Sequence, residues 1–277
     1  MIVEIEKFFK CAGCCSTGSR PLLRVGPAKA YRVIVCTSCG LAHLLPKPND
    51  LSDTHQLGDT ATYAAAVNHL RPGFVYHHGL LLNKLRQFAP PPNRLLEIGC
   101  GRGDFLVAAK DVGYQVSGVE PAAVDAQVKD RVGIPIWSER IEQVLLPKHH
   151  FGLAVAIQVI EHMHDPWIFC EKISQTLTPG GILYIETPNF GALARRCHSR
   201  RFMDLNVAPG HWHLFESRSL GNLLLRAGIE PIKTWTFFKS LSAYGRGPIR
   251  PAIVTALNTV FRPLGLANTL AVIGQKS

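Results

Sequence analysis

From residue 94 to residue 274, apolar runs of strand length alternate with stretches of helical spacing. Strands are predicted at 94–98, 115–119, 134–137, 153–159, 182–187, 232–238 and 269–274. Helices are predicted between them at 104–112, 122–131, 167–177 and 220–227. In the third of these, Phe169, Ile173 and Leu177 recur every four residues and make one apolar face. Ser217 before the last helix and Gly228 just past it are start and stop signals. A further helix over 69–88 carries Leu70, Val75, Leu80, Leu81 and Leu85, and Pro90, Pro91 and Pro92 end it. Regular strand–helix alternation predicts an α/β fold: a seven-stranded, mostly parallel sheet with helices on both faces and an antiparallel pair at its end. A ligand would lie over the carboxyl ends of the parallel strands.

The first 48 residues follow a different logic. Cys11 and Cys14 form one C-x-x-C pair, and Cys36 and Cys39 form another. Each pair can place two thiolates on a tight turn, and two such turns complete a tetrahedral four-cysteine zinc site. A filled shell of four thiolates makes the metal structural, because a catalytic zinc keeps a position open. So short a segment builds little core alone, and zinc would supply the missing folding energy. Gly40 suits the turn after the last thiolate, and Cys15 can substitute for Cys14. Redox or incidental cysteines are the alternative. The expected organisation is a small four-cysteine zinc ribbon at 1–48, a polar linker at 49–64 and a second domain at 65–277.

At 277 residues and 47% hydrophobic content, the chain can bury a sizeable core. No apolar run reaches the ~18–20 residues of a membrane span. The amino terminus lacks the basic-then-apolar order of a secretion signal. A cytoplasmic setting with reduced thiols is therefore expected.

The densest signal is Leu95-Leu-Glu-Ile-Gly-Cys-Gly-Arg-Gly-Asp-Phe-Leu106. A strand runs into three alternate glycines where backbone must turn and approach a ligand closely. A dinucleotide-type G-x-G-x-x-G would need glycine at 104 or 106, but Asp104 and Leu106 stand there. The E-x-G-x-G-x-G form resembles the class I S-adenosylmethionine (SAM)-dependent methyltransferases. The resemblance continues through Glu120 at the tip of the second strand, Gln158-Val-Ile-Glu-His-Met-His-Asp-Pro166 after the fourth, Leu177-Thr-Pro-Gly-Gly181, and a fifth strand ending Thr187-Pro-Asn189. Gly152 departs from it, since the family often has Asp after the phenylalanine. The stretch from Cys39 to Pro48 resembles the zinc-binding module ahead of some bacterial methyltransferases, including sugar C-methyltransferases.

The resemblance implies a Rossmann-like fold with SAM as cofactor beside the structural zinc. It places Glu97 and the Gly99, Cys100, Gly101 and Gly103 backbone against the methionine part of SAM, and Glu120 with Pro121 at the ribose. Ser138 and Glu139 would border the adenine, and Gln158 the transferring methyl. His162 is the first candidate base, on the acceptor side after the fourth strand. His211-Trp-His213 is a second imidazole source, which could join Glu161 and His162 as base or around a divalent ion. Arg195 to Arg201 holds four arginines; Arg196 and Arg200, with His211, would bind an anionic acceptor. The expected function is methyl transfer to an oxygen or carbon of a small metabolite such as a sugar, nucleotide-sugar or natural product. With a net charge of +10 and the zinc module, RNA is the alternative acceptor, although aromatics at 8% form no basic, aromatic-laced stripe. A non-catalytic SAM-binding scaffold is the third reading.

Overall fold

The computed structural model describes residues 9–25, 30–46, 72–121, 133–197, 210–238 and 251–277. The linker expected at 49–64, the helix expected at 122–131 and Arg200 lie outside the described residues.

The main sheet has seven strands: β4 (Arg94–Ile98), β5 (Gln115–Val119), β6 (Ile136–Trp137), β7 (Phe151–Ile157), β8 (Leu177–Pro188), β10 (Ile229–Phe237) and β11 (Thr269–Lys276). Their order is β10-β11-β8-β7-β4-β5-β6. β5, β6, β7 and β8 extend in parallel around β4, while β11 pairs antiparallel with both β8 and β10. The order therefore reverses at β4, and a crevice opens beside its carboxyl end.

Side chains alternate between the two faces of each strand. On one face Leu95, Leu153, Val155, Ile182, Tyr184 and Ile273 pack under helices α1 (Pro72–Leu85) and α2 (Asp104–Asp111). The α1 stripe that does this is Leu81, Leu82 and Leu85, while Leu80 faces outward at 52% exposure. On the other face Leu96, Ile98, Ala154, Ala156, Leu183 and Ile185 pack under α3 (Pro166–Thr176) and α5 (Ser217–Arg226). Asp165 caps α3 by accepting from the N–H groups of Trp167 and Ile168, and Pro166 fills the first helical position. At α5 the cap is Glu216 rather than Ser217, and its N–H donates to Ser219 Oγ at 2.9 Å. The glycine at 152 has a packing reason: a Cβ there would collide with the Asn93 carboxamide.

Helices α4 (Leu193–Cys197) and α6 (Pro251–Phe261) were not marked by the sequence pattern. Neither was a second, four-stranded antiparallel sheet, in the order β1-β2-β3-β9. Here β1 is Ser19–Val25, β2 is Tyr31–Cys36, β3 is Ala42–Leu45 and β9 is His213–Leu214. β9 comes from the far side of the sequence and pairs Ala42 with Leu214 and His43 with His213. Arg226, at the end of α5, donates to the Gly13 carbonyl and lies 4.4 Å over the Trp167 ring. Phe9, Ile34 and Leu41 belong to the same packed cluster as Phe169, Ile173 and Phe215. Among the described residues no helix is long and apolar enough to cross a membrane.

Leu85, fully buried between α1 and the sheet, tests this packing. Leu85→Ala is expected to lower unfolding free energy by about 2–5 kcal/mol in chemical denaturation.

Candidate active site and metal centre

The glycine turn lies between β4 and α2. Gly99, Gly101 and Gly103 have φ values of 69°, 49° and 73°, a left-handed run that side chains resist. Each glycine has its own spatial reason. A Cβ on Gly99 would meet Val159 Cγ2 at 2.5 Å, whereas one on Gly101 would meet nothing within 4 Å. Gly101 therefore borders open space, and its N–H donates to Glu120 Oε2 at 2.8 Å. Cys100 contributes backbone only: its thiol is 6% exposed, and burial, then the Glu97 charge, pushes its pKa up. Pro121, Ser138 and Glu139 are exposed along the rim after β5 and β6.

Two buried polar groups face this turn without a full set of partners. Glu97 is 5% exposed, and its Oε2 has no hydrogen-bond partner among the described residues. Burial raises its pKa well above the usual carboxylate range, and the charges of Glu120 and Asp104 add to the shift. Gln158, directly after β7, holds φ at 58° although it is not glycine. Its N–H donates to the Glu186 carbonyl at 2.7 Å, and its Nε2 is buried with no partner among the described residues. Strained backbone and orphaned polar atoms together mark a place completed by a ligand. Three neighbouring carboxylates favour a cationic one.

The structure brings Glu161, His162 and His211 together: their ligating atoms all lie within 4.8 Å of one another. Glu161 is fully buried and accepts from Thr187 Oγ1 at 2.9 Å. His162 Nδ1 donates to the Gly210 carbonyl at 2.6 Å, and burial lowers its pKa. The rings of His162 and His211 meet edge to face at 4.7 Å. His213 does not join them. Its in-register pairing with His43 turns both rings the same way, with the two Nδ1 atoms 3.2 Å apart. Of the arginines, Arg195 is tied to the Phe190 carbonyl and ring and reaches Glu216 at 3.8 Å. Arg196 is exposed.

The sulfurs of Cys11, Cys14, Cys36 and Cys39 form the second cluster that could hold a metal ion. Cys11 Sγ lies 3.5 Å from Cys39 Sγ, and Cys14 Sγ 3.5 Å from Cys36 Sγ. Gly40, at φ 80°, shapes the second turn, where its N–H donates to the Cys36 carbonyl. Cys15 is exposed, and Arg226 Nη2 lies 3.7 Å from its sulfur. His43 is 2% exposed, with Nε2 3.4 Å from Cys11 Sγ.

Sequence reasoning missed His43, His77 and Glu186. His77, on α1, has Nε2 3.1 Å from Glu186 Oε2, which also accepts from the Tyr184 hydroxyl at 2.9 Å. The only advance sign was a histidine pair, His77-His78, four residues ahead of the leucine stripe.

A doubly covered sheet with this strand order, a glycine turn after its first parallel strand and an acidic residue at the next strand's tip is a Rossmann-like arrangement. A family model described as "Methyltransferase domain" matches residues 75–234, and the chain belongs to that family. The ubiquinone biosynthesis O-methyltransferase of Bradyrhizobium sp. (strain ORS 278) is 31% identical over 102 residues, 35% of this chain and 40% of that protein. That of Methylobacterium sp. (strain 4-46) is 31% identical over 101 residues, 34% of this chain and 41% of its own length. These matches thus span about 40% of the relatives. Among solved structures, the Burkholderia thailandensis 1,6-didemethyltoxoflavin-N1-methyltransferase, bound to S-adenosylhomocysteine, aligns with TM-score 0.57 at 15% identity, covering 90% of this chain and 96% of that one. A Thermotoga maritima SAM-dependent methyltransferase aligns with TM-score 0.55 at 21% identity, covering 72% and 89%. These likenesses show the same fold.

Two measurements probe the turn. Gly101→Val forces a branched side chain into left-handed backbone and into the open space beside the turn, so it should abolish SAM binding in calorimetry while far-UV circular dichroism stays unchanged. A cation bound beside Glu97 favours its ionised form. SAM binding should therefore release a fraction of a proton and tighten as pH rises above the ordinary glutamate range. Glu97→Gln should flatten that dependence, as read by calorimetry in buffers of differing ionisation enthalpy.

Proposed function

We propose that the enzyme moves the methyl group of SAM to a hydroxyl oxygen of a small metabolite. The observation that carries this reading is the open left-handed turn at Gly101, joined by its N–H to the Glu120 carboxylate. Glu120, with Pro121, would take the ribose hydroxyls, and the Gly99 to Gly103 backbone with Glu97 the cationic methionine end. Ser138 and Glu139 border the adenine, and Gln158 the reacting methyl. SAM supplies a methyl on a positively charged sulfur, which needs no further activation. The chain's task is alignment, exclusion of water and removal of the acceptor's proton. Oxygen is favoured over carbon because the relatives that match in sequence are named O-methyltransferases. Glu161, His162 and His211 form the polar wall beside the acceptor. Burial keeps His162 neutral, with its Nε2 available to accept a proton or to join the other two on a divalent ion. Loss of turnover on dialysis against a chelator too weak to strip the cysteines would select the ion.

A small acceptor is favoured over RNA by the use of the basic residues. Arg195 is bound to Phe190 and Glu216, and Arg226 is bound to Gly13 and Trp167. Both therefore serve packing rather than a continuous phosphate-binding track. Binding to an RNA fragment that is strong and falls steeply with salt would reverse this reading.

The four cysteines hold one structural zinc. Zinc–sulfur bonds of about 2.3 Å place tetrahedral sulfurs roughly 3.8 Å apart, close to the two 3.5 Å separations. His43 donates its Nε2–H to the Cys11 thiolate, as outer partners of zinc ligands do. Because the ribbon shares a sheet and a core cluster with the catalytic part, removing zinc should destabilise more than the ribbon. Cys36→Ser is expected to reduce zinc below one equivalent by atomic absorption. In the same variant, melting followed by SAM-site probes should shift several degrees downward.

A further inference from the structure

The acceptor side holds a second imidazole–carboxylate pair. Glu186 sits opposite Ile157 in the parallel β7–β8 register, and Ala156 sits opposite Ile98. Glu186 is therefore level with Gly99, about two strand spacings or ~10 Å across the sheet end. Its side chain shares a face with Glu97, because Glu97, Val155 and Tyr184 form one row across β4, β7 and β8. Thr187, the next residue, points to the opposite face and binds Glu161. The end of β8 is thus flanked on both sides by an imidazole with a carboxylate.

The two imidazoles differ in what stands behind them. His162 is backed by the neutral Gly210 carbonyl. His77 is backed by Glu186, which is fully buried and anchored by the Tyr184 hydroxyl. Burial, then the charge of Glu186, raises the Tyr184 pKa well above the usual phenol range, so Tyr184 acts only as a donor. With a carboxylate oxygen as its partner, His77 Nε2 carries the proton and Nδ1 the lone pair. Nδ1 has no hydrogen-bond partner among the described residues, and the side chain is 26% exposed. The ring is held flat against Phe237, 5.7 Å between centroids at 23°, and Leu81 and Leu85 anchor its helix one and two turns further on. A carboxylate-oriented imidazole with one fixed tautomer and an open lone pair is the arrangement of a general base.

We propose that His77, oriented by Glu186 and Tyr184, is the catalytic residue that takes the acceptor's hydroxyl proton during methyl transfer. This rests on the proposed SAM-dependent transfer to oxygen. His77 Nδ1 takes the proton as an oxygen lone pair forms the new carbon–oxygen bond. The carbon–sulfur bond breaks with its electron pair going to sulfur, which becomes a neutral thioether. The imidazolium is held by Glu186 and later gives its proton to water. His162, Glu161 and His211 then position the acceptor from the other side of β8.

The test uses the full-length, zinc-loaded enzyme with SAM and two phenolic acceptors of graded acidity, catechol and 4-nitrocatechol. His77→Gln should leave SAM affinity unchanged in calorimetry and lower kcat with catechol about 100-fold or more. With 4-nitrocatechol, largely ionised before it binds, the loss should shrink to less than about 10-fold, because the base has less to do. Glu186→Gln should show the same pattern with a smaller loss, and added imidazole should partly restore His77→Gly. A His77→Gln enzyme within about 3-fold of wild type on catechol overturns the proposal and leaves the methyltransferase reading intact. An equal loss on both acceptors also overturns it, since that pattern belongs to a structural role. If wild type binds SAM yet methylates neither phenol, the assignment of His77 as base toward a phenolic hydroxyl is overturned, while SAM binding stands. If SAM does not bind, the cofactor site itself is wrong.

Discussion

The hydrogen bond from the Gly101 N–H to the Glu120 carboxylate organises the site. It joins the turn that leaves β4 to the tip of β5, so it ties together the two sides of the crevice beside β4. It also holds a carboxylate beside backbone N–H groups in a region where Glu97 is already disfavoured as an anion. The local field is therefore set for a cation, and the glycines leave room for it. Val159 crowds Gly99 and Cys100 crowds Gly118, so the walls of that crevice cannot readily relax inward.

Strand β8 joins two further polar clusters. Consecutive residues on a strand point to opposite faces, so Glu186 and Thr187 serve two different clusters from adjacent positions. One gathers His77 and Tyr184. The other gathers Glu161, with His162 and His211 beside it.

Much of this was legible in the sequence. The central strands β4, β7, β8 and β11 fall close to the apolar runs that predicted them, because strands buried on both faces are written as short continuous apolar segments. The glycine turn and Glu120 were legible because left-handed backbone and a strand-tip carboxylate demand particular residues. The four cysteines were legible by spacing. Long-range pairings were not. Nothing local says that His213 will sit against His43, 170 positions earlier, or that His77 will meet Glu186, 109 positions later. β9 has only two residues, too few for any periodicity, and its strand character comes from the β3 edge it meets. The capping of α5 by Glu216 rather than Ser217 is a one-residue shift of the kind propensity does not resolve. Nothing local says that Arg195, within the arginine-rich segment, will bind the Phe190 carbonyl and reach the Glu216 carboxylate, which are tertiary neighbours.

The shared sheet has a consequence for how this chain can be rearranged. Among the described residues, Val33, Val35, Ala42 and Leu44 share their cluster with Phe190, Ala192 and Leu214, which lie well over a hundred residues away. The cysteine-bearing part is therefore not an interchangeable cassette. Grafting it onto another scaffold would leave an unpaired edge and an apolar flank exposed, inviting self-association. Replacing it with a foreign ribbon would strip the backbone support from Trp212 and from the imidazole on either side of it.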